Sequence, residues 1–329
     1  MRKISTSLLG ILFLMISCSK QDSKVTAGED QQTEIPQITQ RNCAANEVLQ
    51  EQMAADTTLQ KRMDDIEAYT QKVMRNPSAY RLVNGVIEIP VVVHVVFNTT
   101  QQQISAAQVQ SQIDVLNEDY NNTNADRMKV PAEFTDEQTS VGIRFVLDRI
   151  LNVNTRVKSW STNDAVKSSK RGGSDPVDPS TYLNMWACNL GQGLLGYAQF
   201  PGGNPATDGV VILYSAFGSR AKAAGTYSNA YDLGRTATHE VGHWLNLRHI
   251  WGDATCGNDL VDDTPVASTS NYGCPSYPHQ STCGAAHAEM TMNYMDYTDD
   301  ACMYMFTHGQ QTRINAVFAA GGARASMAK

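Results

Sequence analysis

The sequence predicts an α/β domain built on a mostly parallel, twisted β-sheet and preceded by a short helical segment. A β-branched run at residues 86–97 is typical of a strand that is buried on both faces. Further short apolar runs lie between Gly- and Pro-bearing turns and predict strands at 143–147, 183–188, 194–200 and 209–214. The strand candidates alternate with a long helical segment that begins after Ser105, and this alternation favours an α/β sheet.

Helical patterns occupy three other parts of the chain. Residues 47–75 carry spaced apolar side chains among charged ones and predict one or two amphipathic helices, which end at Asn76-Pro77. A helix is also predicted at 235–246 and another at 309–320, with an irregular region between them. We therefore expect an N-terminal helical segment at 35–81 and a main domain at 82–329.

Length and charge narrow the class of protein. The 329 residues are 42% hydrophobic, which is enough for a substantial core, and show no internal repeat. Twenty-six Lys and Arg against 33 Asp and Glu give a net charge of -7. This balance disfavours a nucleic-acid partner or an anionic membrane surface, and favours a cationic substrate or a bound cation.

The first residues predict export. Arg2 and Lys3 precede an apolar run at 8–16 that is too short to span a bilayer. The run ends at Ser17-Cys18, which resembles a bacterial lipoprotein cleavage site, so we expect a signal peptide at 1–17 and lipidation of Cys18. Ordinary signal cleavage beside an incidental Cys is the alternative. The polar residues 18–34 predict a tether between the anchor and the folded domain. We therefore expect either a lipoprotein of the cell envelope, which contacts the membrane only through its lipid anchor, or a secreted protein.

The helix predicted at 235–246 contains the pattern His-Glu-x-x-His. Residues four apart share a helix face, so His239 and His243 can bind one zinc ion. Glu240 is the next residue after His239, so its side chain projects to one side of the two histidines. It can therefore reach a water molecule bound to the metal without binding the metal itself. Its predicted role is general base and then proton donor to the leaving amine.

A third histidine follows six residues later. A straight helix cannot bring His249 to the same ion, because six residues rise about 9 Å. The helix must therefore break between His243 and His249. Asn246 stands at the break, and Asn is the non-Gly residue that best tolerates a left-handed conformation.

The segment from His239 to His249 resembles the metzincin motif, in which Gly stands where this chain has Asn246. Residues 293–297, Asn-Tyr-Met-Asp-Tyr, resemble the Met-containing turn of that clan. Within the clan, the tail Ile250-Trp251-Gly252-Asp253 and the segments at 262–265 and 299–302 are similar to the pappalysins. The resemblance implies a metzincin-type zincin with an upper subdomain to about residue 249 and a lower, disulfide-linked subdomain at 250–329.

The resemblance also implies roles for individual residues. His239, His243 and His249 match the zinc ligands, and Glu240 matches the catalytic base. Met295 matches the methionine beneath the metal. Tyr297 matches a tyrosine whose phenol stabilises the oxyanion of the tetrahedral intermediate.

Six cysteines follow Cys18. Four of them lie at 256, 274, 283 and 302, and in an oxidising compartment they predict two disulfides whose pairing the spacing leaves open. The resemblance implies Cys256–Cys283 and Cys274–Cys302. Cys43 is a candidate latency switch, because a prosegment thiolate can fill the fourth position on zinc. A disulfide between Cys43 and Cys188, or a loose thiol, is the alternative.

Residues 252–302 hold eight acids and no Lys or Arg. Asp259, Asp262 and Thr264 offer oxygen ligands that suit calcium, which the resemblance also implies; an exposed acidic loop is the alternative. The acidic cleft favours substrates with a basic residue next to the scissile bond, although Ala301 stands where a pocket acid would be expected. Residues 193–198 are a candidate edge strand for substrate pairing, and a self-cleavage site is predicted ahead of Arg81.

These features predict an exported zinc metalloendopeptidase that is made as a zymogen and acts on proteins or peptides. Two alternatives are a catalytically silent zinc-containing surface-binding lipoprotein and an exopeptidase. The intact Glu240 and Tyr297 argue against the first, and no signal for recognition of a free terminus supports the second.

Overall fold

A computed structural model describes residues 35, 37–77 and 87–328, and Glu34–Lys329 forms one compact unit. The predicted signal peptide at 1–17, the tether at 18–34 with Cys18, and the self-cleavage site ahead of Arg81 lie outside the described residues. The predicted boundary between prosegment and main domain, at 81/82, also lies outside them.

The described residues contain five α-helices and one five-stranded sheet. The helices are α1 (Ala45–Ala55), α2 (Leu59–Arg75), α3 (Ala106–Tyr120), α4 (Arg235–Trp244) and α5 (His308–Phe318). The strands are β1 (Ile87–Phe97), β2 (Ile143–Asn154), β3 (Leu183–Cys188), β4 (Gly196–Ala198) and β5 (Val210–Leu213).

The sheet is mostly parallel, as the sequence predicts. Its strand order is β2-β1-β3-β5-β4, and only β4 runs antiparallel to its neighbour. The central strand β1 is hydrogen-bonded on both sides and is almost entirely buried, which explains its unbroken apolar sequence.

The two edge strands differ from the sequence prediction in length. β2 continues to Asn154, whereas the sequence predicts an end at residue 147. The prediction stops early because the second half of the strand is partly exposed and carries polar residues, which hide the strand pattern in the sequence. β4 covers only residues 196–198 of the predicted 194–200. The outer side of this short edge strand is paired with residues 42–44 of the N-terminal segment, through a parallel bridge between Cys43 and Gly196.

Helix α3 positions the central helix α4. Ser105 caps α3 by accepting a hydrogen bond from the Gln108 backbone N–H at 3.1 Å, as its sequence predicts. At the other end of α3, the Tyr120 hydroxyl donates to the Thr238 carbonyl at 3.0 Å. Two buried elements, α3 and the sheet, thus fix α4 in the interior.

The chain after α4 forms an irregular lower half. It is cross-linked by the disulfides Cys256–Cys283 and Cys274–Cys302, the pairing that the family resemblance implies. α5 closes this half and begins with a capping box between Thr307 and Gln310. The Asp263 carboxylate accepts from the Gly309 N–H at 2.7 Å and so binds the loop to the start of α5.

The N-terminal segment packs on the rest of the compact unit, and two of its contacts lie near β4 and α5. Residues 42–44 run beside β4, where the Ala44 N–H donates to the Gly196 carbonyl at 3.1 Å. Helix α2 packs on α5, and its Glu67 accepts two hydrogen bonds from Arg313 at 2.6 and 3.0 Å. Over the described ranges, every helix is too short or too polar to cross a bilayer.

Candidate active site

Two of the three candidate ligands lie on one face of α4. His239 and His243 are one turn apart and fully buried, and their Nε2 atoms are 3.2 Å apart. The helix ends at Trp244, two residues before the predicted end, because the chain leaves the helical conformation at Leu245. The shorter helix allows the chain to turn back toward the two imidazoles.

Asn246 makes that turn in a left-handed conformation, with φ of +74°. Its carbonyl accepts a hydrogen bond from Arg313 Nε at 2.7 Å, and its side-chain amide donates to Thr70 Oγ1 of α2 at 3.3 Å. The reversed chain places the Nε2 of His249 3.0 Å from that of His243. The break predicted at Asn246 is therefore present, and the three imidazoles converge.

The three rings are oriented by hydrogen bonds from their Nδ1 atoms. His239 Nδ1 contacts the Tyr294 carbonyl at 2.7 Å and His243 Nδ1 contacts the Leu247 carbonyl at 2.9 Å. His249 Nδ1 contacts a carboxylate oxygen of Asp253 at 2.5 Å. These partners place the proton on each Nδ1 and leave each Nε2 with a lone pair that faces the common centre.

This donor set fits zinc. Tetrahedral zinc with bonds of 2.0–2.1 Å separates its nitrogen ligands by about 3.3 Å, close to the spacing observed here. Burial lowers the pKa of His239 well below its usual value and that of His243 to about 3, so both rings are neutral, as ligands must be. Among the described residues, these three histidines and Cys43 are the one cluster of His, Cys, Asp or Glu spaced to hold a metal ion.

Glu240 lies beside this centre. Its Oε2 accepts a hydrogen bond from the Cys43 thiol at 3.2 Å, and burial raises its pKa to about 8. A Cβ atom at Gly196 would lie 2.8 Å from Glu240 Cγ, so only Gly at this position of β4 leaves room for the carboxylate. Edge strand, thiol and carboxylate therefore meet at one point.

The predicted Met-containing turn lies beneath the histidines. Met295 is fully buried, and a Cβ atom at Gly242 of α4 would lie 2.4 Å from its sulfur, so a side chain there would force Met295 to shift. Tyr297 packs edge-on against the His249 ring with centroids 4.9 Å apart. Its hydroxyl donates to the Cys43 carbonyl at 2.9 Å.

The N-terminal segment fills the cleft at this point. Leu195 donates to the Asn42 carbonyl at 2.9 Å, and Cys43 forms a parallel bridge with Gly196. In this structure, residues 42–44 pair with the edge strand that is predicted to pair with substrate. Cys43 and Cys188 are both buried and are not bonded to each other.

Sequence reasoning missed a buried ion pair two residues before Cys43. Arg41 is 1% exposed, and its Nη2 lies 2.6 Å from Asp300, which is fully buried. Arg41 Nε also donates to the Thr298 carbonyl at 3.0 Å, and the guanidinium lies 5.2 Å from the Tyr231 ring. A buried acid, Asp300, thus stands one residue before Ala301.

The three residues predicted to bind calcium lie in the loop before α5. Thr264 Oγ1 donates toward both oxygens of the buried Asp259 at 2.9 and 3.0 Å, and also lies 2.8 Å from the Val261 carbonyl. Burial raises the pKa of Asp259 to about 7. Asp262 is exposed on the same loop. Asp259 and Thr264 are thus brought together, whereas the Asp262 side chain lies at the surface.

Comparisons with known proteins agree with this geometry. The family model described as pregnancy-associated plasma protein-A matches residues 167–319. An extracellular metalloprotease of Pyricularia oryzae is 36% identical over 247 residues, which cover 71% of this chain and 75% of the relative. An extracellular metalloprotease of Arthroderma otae is 33% identical, over 72% of this chain and 80% of the relative.

Two solved structures share the fold. A Tannerella forsythia promirolysin mutant is 41% identical with a TM-score of 0.79, and the match covers 88% of this chain and 97% of that one. Mature mirolysin of the same organism, in complex with a cleaved peptide, is 46% identical with a TM-score of 0.71, over 74% and 96%. On these similarities, the chain belongs to the pregnancy-associated plasma protein-A family and is a metzincin-type metalloendopeptidase.

Proposed function

We propose that this chain is a zinc-dependent endopeptidase in its latent form, with the prosegment seated in its own active site. The observation that carries the proposal is the convergence of three imidazoles, in which His243 Nε2 lies 3.2 Å from that of His239 and 3.0 Å from that of His249, beside Glu240 and a thiol of the proposed prosegment. His239, His243 and His249 would hold the zinc. When bound, zinc supplies a Lewis acid that polarises the scissile carbonyl and acidifies water.

Glu240 is the proposed general base. In the latent form its carboxylate is sealed by Cys43 and the edge strand, and this burial raises its pKa. Departure of the prosegment admits water and removes that burial, so the carboxylate ionises more readily. Glu240 can then accept a proton from the attacking water and deliver it to the leaving amine.

Tyr297 is the proposed oxyanion donor. Its hydroxyl already donates to a peptide carbonyl, that of Cys43, at 2.9 Å. A substrate carbonyl that replaces the Cys43 carbonyl would meet the same donor, and the bond would strengthen as negative charge develops on the oxygen. Met295 supports the imidazoles from below through its contact with Gly242.

Cys43 is the proposed latency switch. Its sulfur lies in the same cluster as the three imidazole nitrogens, within 4.8 Å. Burial and the Glu240 carboxylate raise the pKa of the thiol, so a bound cation is what would favour the thiolate there. A thiolate in this position would exclude the catalytic water until the prosegment is cut. The similarity to a promirolysin supports a zymogen of this kind.

The Arg41 pocket supports a preference for basic residues next to the scissile bond. The prosegment inserts a guanidinium against the buried Asp300, with a carbonyl and an aromatic ring as further partners. A substrate Arg or Lys would find the same partners after the prosegment leaves. Asp300→Asn should therefore lower the ratio of kcat/KM for Arg-containing over Leu-containing peptides by at least tenfold.

Calcium binding at Asp259 and Thr264, with an oxygen of Asp262, is proposed as a structural role. Asp259 is buried near the charge of Arg313, and a cation would favour its ionised form. Calcium would be expected to raise the melting temperature of the wild-type chain. A Thr264→Val variant that gains as much as wild type would contradict this site.

We further propose the chain organisation predicted above: a signal peptide at 1–17, lipidation at Cys18, a tether at 18–34, a prosegment at 35–81 and a catalytic domain at 82–329. The extracellular relatives support secretion. Mass spectrometry of the cell-derived protein tests this organisation by giving the lipidated and the processed N-termini.

Casein cleavage by the processed protein tests the proposed activity. A chelator should abolish cleavage, and Glu240→Ala should lower it by about 10²–10⁴-fold, which is the usual contribution of a general base. The matched control is Glu118→Ala, at a surface carboxylate of α3, which should retain activity. Full activity in Glu240→Ala would contradict the proposal.

A further inference from the structure

The three candidate ligands differ in the group that supports them from behind. His239 and His243 contact neutral backbone carbonyls through Nδ1. His249 alone contacts a carboxylate, at 2.5 Å from Asp253 Oδ1. An anionic acceptor on Nδ1 makes the opposite nitrogen a stronger donor to a metal than a neutral carbonyl does.

The backbone around Asp253 is shaped to make this contact. Gly252 and Asp253 are consecutive residues in the left-handed region, with φ of +60° and +56°. At Gly252 a Cβ atom would lie 2.3 Å from the Asn258 backbone nitrogen, so no other residue fits. A non-Gly residue in this conformation is costly, and here it directs a carboxylate at the third imidazole.

His249 needs such support more than the other two rings. His239 and His243 belong to one buried helix, whereas His249 lies in the irregular chain that follows the Asn246 turn. Trp251 stacks on the His249 ring at 4.3 Å with an interplanar angle of 7°, which fixes the plane of the ring. The Asp253 hydrogen bond then fixes the rotation of the ring within that plane, so that Nε2 faces the other two nitrogens.

We infer that Asp253 is a positioning residue for the metal centre, acting through the Nδ1 of His249. The chain turn at Asn246 brings the His249 imidazole to the centre, and Asp253 sets the orientation of the ring there. The negative charge of Asp253 also makes the imidazole a stronger donor to zinc. This inference rests on the zinc centre proposed above and adds a residue that touches neither the metal nor the substrate.

The test is the zinc dissociation constant of the full chain, measured by competition with a chromophoric chelator at fixed pH. Asp253→Ala should weaken zinc binding by about 10–100-fold, the usual effect of removing such a partner. Asp253→Asn keeps a hydrogen-bond acceptor but removes the charge, so it should recover part of the loss. The matched control is Asp148→Asn, at a similarly exposed carboxylate on β2.

The outcomes separate this inference from the proposed function. Wild-type protein that binds no stoichiometric zinc would overturn the zinc centre itself. Zinc binding in wild type together with a loss of less than threefold in Asp253→Ala would overturn only the role of Asp253. If Asp253→Ala fails to fold, Asp253→Asn decides: a loss of threefold or more supports the role, and a smaller loss overturns it.

Discussion

Two of the contacts between the proposed prosegment and the proposed catalytic domain differ in chemistry. In the cleft contact, residues 41–44 meet Asp300, Glu240 and Tyr297 with a guanidinium, a thiol and a carbonyl. In the helix contact, α2 packs on α5 by ordinary burial and one ion pair, Glu67 with Arg313. The cleft contact blocks the side chains that the proposed chemistry needs, and the helix contact holds the segment in place. Blocking and holding are therefore separable, and variants in each region should have different effects.

The largest effect is expected for Cys43→Ala, which removes the proposed blocking ligand. Four-ligand structural zinc sites bind zinc with roughly 10–16 kcal/mol in total, so one ligand contributes on the order of a few kcal/mol. Without the thiolate, the fourth position on zinc would open to water, and the peptidase activity of the uncut chain should rise on the order of a hundredfold or more. Cleavage of a fluorogenic peptide by uncut protein, verified by gel, measures it. Cys188→Ala, at the buried thiol of β3, is the control and should remain latent.

A smaller effect is expected for Arg41→Ala, which leaves Cys43 in place but removes the guanidinium that faces one oxygen of the buried Asp300. Breaking a buried ion pair costs about 3–5 kcal/mol, part of which is recovered if water enters the pocket. Self-processing should become at least tenfold faster, while uncut protein keeps most of its latency. A gel time course measures the rate. Lys61→Ala, at an exposed site on α2, should process at the wild-type rate.

Glu67→Gln tests the helix contact and should have a still smaller effect. The two hydrogen bonds from Arg313 are charge-assisted but partly exposed, so we expect about 1 kcal/mol, or roughly fivefold faster loss of the cut prosegment. Retention of the cut fragment during gel filtration measures this. The activity of the uncut chain should not change, and a gain in that activity would contradict the separation of blocking from holding. Glu51→Gln, an exposed site on α1, is the control.

The smallest effect is expected for a change of pH on the helix contact. Partial burial raises the pKa of Glu67, but the hydrogen bonds and charge of Arg313 outweigh it, and the net pKa lies below the usual 4.5. A carboxylate with a lowered pKa stabilises the contact at neutral pH and loses that contribution as the pH falls below about 4.5. The cut fragment should dissociate faster at pH 4 than at pH 7, and this increase should be smaller in Glu67→Gln. Equal increases in both proteins would contradict the assignment.

The sequence predicts the three-histidine site better than it predicts the long-range contacts around that site. Helix periodicity places His239 and His243 together, and the backbone preference of Asn explains how His249 can join them. The Arg41–Asp300 pair spans 259 positions, and nothing in local periodicity links two residues so far apart. β2 is longer than its apolar pattern because an edge strand can be half polar, and the support of His249 by Asp253 depends on two left-handed residues that spacing does not encode.

The most direct test of the central claim is zinc K-edge X-ray absorption spectroscopy of the uncut chain. The proposed latent centre predicts three nitrogen ligands at about 2.0–2.1 Å and one sulfur at about 2.3 Å, with the sulfur absent in Cys43→Ala. A zinc environment with no imidazole shell, or a wild-type spectrum without sulfur, would contradict the account.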